Sequence, residues 1–274
     1  MLQYYDVSYF RSGIKSEFLS KIPNLRSPYL ICGFPGTGYV GKMAVDHLIH
    51  ELKAVHLANI YCTSFPPRVI IGTDGTVDLT RNSLYYARQS EAHKDDLVFV
   101  TGDAQPVSPE SEYHLAEEIL KIVTQFETKQ VFTLGAYITG AFAEKPKVYC
   151  MSTDLETLHS LPIRDIAHLD NGSVTGMNGL VIGIAKLLGM KGVCFLAETS
   201  GYVIDAIASK NILEALMSTI NLKVNMESMI LRAKDTEMLI RTIEQQIVNK
   251  VAPPNPEIGA QVSPKRQPDT GYIS

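Results

Sequence analysis

Apolar runs of five or six residues alternate with helically spaced stretches along most of this chain. Tyr29-Leu30-Ile31-Cys32-Gly33-Phe34 ends in Pro35-Gly36, which marks a buried strand and a turn. Between Val40 and Lys53 the apolar positions 40, 44, 45, 48, 49 and 52 fall at helical spacing. Ala54 to Cys62 reads as the next strand, completing a strand–loop–helix–strand unit. Arg68–Ile71 and Thr76–Leu79 flank Thr73-Asp74-Gly75, and Asp-Gly between two such runs predicts a hairpin. Asp96 to Thr101 is a further buried strand. Ser108-Pro109 opens a helix to about Glu127, with Ser positioned to satisfy free N–H groups and Pro suited to the first turn. Gln130–Leu134 and Lys147–Met151 predict strands, Met177–Met190 a helix and Gly192–Ala197 a strand. Asp205 caps a helix to about Ile220. Strands alternating with helices around one hairpin predict a three-layer αβα sandwich with a mixed sheet, over residues 1–222.

From Lys223 the texture changes. Positions 226, 229, 233, 236, 240, 243, 247 and 250 step by three and four, predicting one amphipathic helix over 223–251. Its stripe either lies on the chain's own domain or forms a seam between subunits, with Met226, Met229, Ile240, Ile243 and Ile247 as the seam candidates. Residues 252–274 carry five prolines among 23 positions and little apolar content. Such a segment buries too little surface to offset its ordering entropy, which predicts a mobile tail. Tyr272 and Ile273 near its end are unusual in so polar a stretch.

Composition narrows the function classes. The 274 residues are 45% hydrophobic and 20% charged, as in an ordinary globule. The 25 basic and 29 acidic residues leave a formal charge of −4, which argues against a nucleic-acid binder built on a basic face. No uncharged apolar run approaches the roughly 20 residues that span a bilayer. The first residues lack the basic and apolar regions of a signal peptide, so a cytoplasmic location is expected. Cys32, Cys62, Cys150 and Cys194 lie far apart with no C-x-x-C pair, which predicts inert core thiols rather than a zinc site. His47 and His50 share a helix turn without a nearby third ligand. Neither metal nor cofactor is expected.

Gly36-Thr37-Gly38-Tyr39-Val40-Gly41-Lys42-Met43 follows a strand and opens a helix. As G-x-G-x-x-G it has the form of a dinucleotide fingerprint, but the next strand ends Ala58-Asn59-Ile60-Tyr61-Cys62 without the acidic residue that would hold a ribose. As G-x-x-x-x-G-K it has the form of a P-loop, but Met43 stands where a hydroxyl must hold magnesium. Two readings remain: free N–H groups offered to an anion, or glycines used for tight strand-to-helix packing. Asp103 with Gln105, Thr139, Thr175 with Asn178, and Glu198-Thr199-Ser200 sit where strands should end, and in open α/β sheets such ends gather into a cleft. An anion or ligand pocket would draw on Gly36, Thr37, Gly38, Tyr39, Asp103, Glu198 and Thr199. No serine sits in a G-x-S-x-G elbow, so no triad can be assigned.

Four stretches carry a resemblance: Gly33–Gly41 leading into Ala44-Val45-Asp46-His47-Leu48-Ile49; Gly102-Asp103-Ala104-Gln105-Pro106; Gly172–Leu180; and Ala197-Glu198-Thr199-Ser200-Gly201-Tyr202. In these, over about residues 28–220, the sequence resembles the proteasome assembly chaperone family, specifically its archaeal-type members. The resemblance implies a non-enzymatic homo-oligomer that binds the α subunits of the proteasome core particle. It also implies an αβα sandwich like that of nucleoside phosphorylases. Some members end in a flexible tail, hydrophobic–Tyr–any residue, that docks between α subunits; the corresponding residues here are Tyr272, Ile273 and Ser274. Tyr272 stands third from the last residue given, one place earlier than that pattern, with Gly271 before it. The competing expectation, by analogy of fold, is a phosphorylase-like enzyme or ligand binder that uses the glycine loop for a small molecule or anion.

Overall fold

The computed structural model describes residues 13–89, 95–143, 145–162 and 166–251. Their centre is four parallel strands, β7 (Leu97–Gly102), β2 (Tyr29–Gly33), β8 (Gln130–Ile138) and β11 (Gly192–Thr199), in that spatial order. Further strands extend this core on both sides. β6 (Asn82–Ala87), β3 (Val55–Cys62) and β1 (Ile14–Phe18) follow β7, while β9 (Val148–Ser152) and β10 (Ile166–His168) follow β11. All are paired antiparallel to their neighbours except β10, which pairs parallel with β9. The nine-stranded sheet is therefore mixed, as the pattern predicts. β4 (Val69–Ile71) and β5 (Val77–Leu79) form a separate two-stranded hairpin.

Helices cover both faces because the central strands are apolar on both. Leu30, Cys32, Val98, Val100 and Leu196 point to the layer of α2 (Pro109–Thr124) and α4 (Gly176–Leu187). Ile31, Phe99, Phe132, Phe195 and Ala197 point the other way, to α1 (Val40–Glu51) and α5 (Ala206–Ile220). The rings of Phe132 and Phe195 stack at 6.1 Å on that second face. Short α3 (Leu155–His159) packs near β9. The caps expected from sequence are in place: Ser108 Oγ accepts from the Ser111 amide, and Asp205 Oδ1 from the Ala208 amide.

The last described helix, α6 (Glu227–Val251), starts against α1 and α5. His47 Nε2 lies 2.8 Å from the Asn225 carbonyl, at the approach to α6. Met229, Ala233 and Thr236 are buried. Met229 therefore belongs to the subunit's own core and is not available to a seam, because the first turns of α6 need an apolar ridge to sit on α5. Met226 is half-buried against the same cluster, Ile240 and Ile243 are half-buried, and the Ile247 side chain lies outside the described residues. Among the described residues no helix is long and apolar enough to cross a membrane.

Candidate functional site

The C-terminal ends of the four parallel strands share one edge of the sheet, and the glycine loop crosses it. Its first job is steric. A Cβ on Gly41 would run into the carbonyl oxygen of Leu134 in β8, and one on Gly33 into the carbonyl oxygen of Gly41. α1 thus lies directly on the backbone of β2 and β8. Of the two readings left open by sequence, tight packing accounts for these two glycines. Gly38 has φ near +63°, and its carbonyl accepts from the Asp205 amide at 2.9 Å. Thr199 Oγ1 donates to Asp205 Oδ2 at 2.7 Å, and both side chains lie 3.3 Å from where a Gly38 Cβ would stand. The loop after β2, the end of β11 and the start of α5 are one hydrogen-bonded unit. Gly36 is extended, Thr37–Tyr39 forms a short 3-10 turn, and Tyr39 is left-handed and exposed.

The other side of the loop is closed by Gln105. Its Nε2 donates to the Pro35 carbonyl at 2.7 Å and its Oε1 accepts from the Met177 amide at 2.8 Å. That amide is in the first turn of α4, where an anion would otherwise find a free donor. The P-loop-like lysine is also engaged elsewhere: Lys42 Nζ lies 3.0 Å from Asp46 Oδ2 and 3.3 Å from Thr101 Oγ1.

The strand-end carboxylates do not converge. Asp103 Oδ2 accepts from the Arg81 amide at 3.1 Å, tying β7 to the start of β6. Glu198 accepts from the Lys147 amide and the Tyr149 hydroxyl, both at 2.9 Å, tying β11 to β9. β2 and β8 lie between their strands, and three inter-strand spacings put them about 14 Å apart. The pocket expected from sequence therefore divides: Gly36, Thr37, Gly38, Tyr39 and Thr199 lie together, whereas Asp103 and Glu198 serve opposite flanks. Asp205, read from sequence only as a helix cap, proves the link between the loop and α5. The hydrogen-bonded hydroxyl at Thr199, six residues upstream, was the signal available for that role.

Other chemistry is equally settled into structure. All four cysteines are buried. Burial pushes the Cys150 thiol up to about 11 and the Cys194 thiol up to about 12, far from a thiolate at neutral pH. Among the described residues, no three His, Cys, Asp or Glu side chains gather to hold a metal ion. Asn178 keeps a buried Oδ1 without a hydrogen-bond partner among them, while its backbone carbonyl accepts from Thr133 Oγ1.

Since Asp205 both caps α5 and receives Thr199, Asp205→Ala should destabilise the protein by about 2 kcal/mol. Chemical denaturation should read this as a lower midpoint with an unchanged slope, and Asp205→Asn should recover part of the loss. A wild-type midpoint in the alanine variant would show that the linkage carries no stability.

Comparison with known proteins places this arrangement. The chain is 36% identical over 268 residues to the uncharacterized protein MJ1210 of Methanocaldococcus jannaschii, spanning 96% of this chain and 99% of that protein. Among solved structures it is similar to Pyrococcus furiosus PbaB, an archaeal proteasome activator. The TM-score is 0.78 at 32% identity, covering 85% of this chain and 99% of that one. The fold of Pyrococcus furiosus PbaA, an archaeal homolog of proteasome-assembly chaperone, superposes with a TM-score of 0.67 at 24% identity, over 86% and 99% of the two chains. The description "PAC2 family" matches residues 30–244, more than three-quarters of the sequence. With that match and 36% identity to MJ1210 over 96% of its length, the chain belongs to the PAC2 family.

Proposed function

We propose that this protein is a cytoplasmic, non-enzymatic proteasome-interacting factor, an assembly chaperone or an activator, that works as a homo-oligomer. It binds the α-ring of the core particle through its oligomeric surface and its C-terminal tails. The observation that carries this reading is the likeness to the proteasome activator PbaB at 32% identity over 99% of that chain. The site geometry agrees with it. Gln105, Thr199 and Asp205 spend their hydrogen bonds on tying the glycine loop to the rest of the subunit, and the strand-end carboxylates hold strands on opposite flanks instead of meeting as an acid–base pair. The second half of α6, with Ile240 and Ile243, is the proposed seam. The tail, including Tyr272, Ile273 and Ser274, lies outside the described residues, and its role rests on the sequence resemblance.

The test is capture of purified core particle by the immobilised full-length protein. Retention of α subunits is the expected result, and no retention across salt concentrations would overturn the reading. A thermal-shift panel addresses the competing enzyme class. Phosphate, nucleotides and nucleosides at millimolar concentration should leave the melting temperature unchanged, because only a ligand of the native state adds stability. A concentration-dependent rise with any of them would point to the phosphorylase-like alternative.

A further inference from the structure

The β4–β5 hairpin departs from how soluble proteins treat exposed strands. All six strand residues are exposed, yet five of them are Val69, Ile70, Ile71, Val77 and Leu79. Pairing of Val69 with Leu79 and Ile71 with Val77 puts four aliphatic side chains on one face, leaving Ile70 and Asp78 on the other. Ile71 is 71% exposed and Val77 63%. Edge strand β1 manages its exposure with Lys15 and Glu17, the usual protection of an open edge. The hairpin's apolar face has no such device.

The hairpin is nevertheless built to hold its shape. At its tip the Gly72 amide donates to the Thr76 carbonyl, and Asp74 Oδ1 accepts from both the amide and hydroxyl of Thr76. At its root Thr80 Oγ1 donates to the Arg68 carbonyl, and Arg68 donates to the Asp103 carbonyl. Two three-residue strands alone are marginal in water, so a fixed arm bearing four aliphatics on one face is an arm that meets something. Beside it lies a cleft of 630 Å³, lined among others by Tyr61, Phe65, Pro66 and Pro67, with Val69 and Leu79 forming its wall. The apolar face thus runs without a break from the cleft out along the arm.

We propose that this arm and cleft are a homotypic docking surface, in which each of two copies lays its arm into the other's cleft. A projection beside a hollow of like chemistry is what a two-fold, self-complementary contact requires. Charge follows the same logic: Asp74 sits at the arm's tip and Arg68 at the cleft's rim. So does size. The aliphatic face offers about 400 Å², within the roughly 300–600 Å² of a typical monomer's largest bare patch. A stable pair needs about 800 Å² per subunit; reciprocal exchange counts each arm together with the cleft beside it, and the surface around the two supplies the remainder. The inference rests on the homo-oligomer proposed above but not on the proteasome.

The test is the mass of the full-length protein in solution without core particle, compared with Ile71→Asp/Val77→Asp, two exposed sites whose change leaves the core untouched. The variant's mass at micromolar concentration should fall by about twofold, with the melting temperature of the subunit retained. Wild-type mass in the variant, or a wild type that is already monomeric, overturns the proposal. Wild-type mass with lost core-particle capture also overturns it, assigning the arm to the proteasome. Hydrogen exchange of the wild type keeps the question decidable if the variant fails to fold. Amides of residues 69–79 should be protected at high protein concentration and exchange freely on dilution. Protection that is absent throughout, or is independent of concentration and lost on deletion of residues 2–12, overturns the idea; the second result would give the face to the chain's own N-terminal segment.

Discussion

Deleting residues 271–274 should lower capture of the proteasome core particle by at least about tenfold, with the melting temperature and oligomeric mass unchanged. The size of the effect follows from multivalency. Once one tail of an oligomer is docked on a ring of similar subunits, each further tail binds at an effective concentration set by its tether. If residues 252–274 behave as the mobile tail their composition predicts, flexible-chain scaling gives these 23 residues a root-mean-square span of about 26 Å, and their five prolines would lengthen it. A weak end motif repeated on every subunit then suffices, and removing it from every subunit removes all its copies at once. Tyr272→Ala should reproduce most of the loss, because the aromatic ring supplies the largest apolar area of those four residues. Deleting Ser274 alone, which makes Tyr272 penultimate, tests whether the offset matters: unchanged capture would mean that the ring, not its distance from the end, is recognised. If the truncated protein captures as much core particle as the full chain, binding runs through the folded body and the tether has no part in it.

The parallel core was legible in the sequence for a physical reason. β2, β7, β11 and the first half of β8 are buried on both faces, so they read as apolar runs between turn signals. Caps were legible because Ser108 and Asp205 satisfy amides three residues ahead, a strictly local requirement. On the flanks β3 and β9 were legible as apolar runs, while β1 and β6 were not. β1 mixes Lys15, Ser16 and Glu17 into five residues, and β6 opens with Asn82 and Ser83, both buried. Their strand character comes from pairing with β3 and β7, long-range contacts that no local pattern carries. β8 runs to Ile138, past the predicted end at Leu134, because Gly135 breaks the apolar pattern. That glycine is there for the Asn178 side chain, which a Cβ would press at 2.8 Å.

The same locality limits the reading of the site. Spacing could put Asp103 and Glu198 at strand ends but not count the strands between them, and the intervening β2 and β8 separate what looked like a pair. The hairpin was recognised from Asp74-Gly75, yet its aliphatic residues would suggest burial, and only the folded chain shows them exposed. α6 starts at Glu227, four residues later than the expected Lys223, so Met226 of the three-four stripe lies just before it. Which part of it serves the subunit was a matter of geometry: Met229, Ala233 and Thr236 are buried, while Leu231, Met238 and Leu239 face outward.

Gly41→Ala should be among the most damaging single-methyl changes in the protein, costing about 3 kcal/mol or more. The added carbon would meet the Leu134 carbonyl oxygen, with the carbonyl carbon 2.6 Å away and the Gly135 amide nitrogen 3.4 Å away. These are backbone atoms of a central strand and cannot rotate aside. α1 must instead lift from the sheet, loosening Val40, Ala44, Val45 and Leu48 from the second core face. Against a total stability of roughly 5–15 kcal/mol, such a loss is a large fraction. Gly183→Ala supplies the opposite sign from the same chemistry. It lies exposed within α4, and a Cβ added there would meet nothing within 4 Å, so the substitution should stabilise by up to about 1 kcal/mol through helix propensity. Denaturant midpoints of the two variants and the wild type decide it. Equal stability for Gly41→Ala and wild type would mean that α1 does not rest on the β8 backbone, and the glycine loop would have to be explained by a ligand after all.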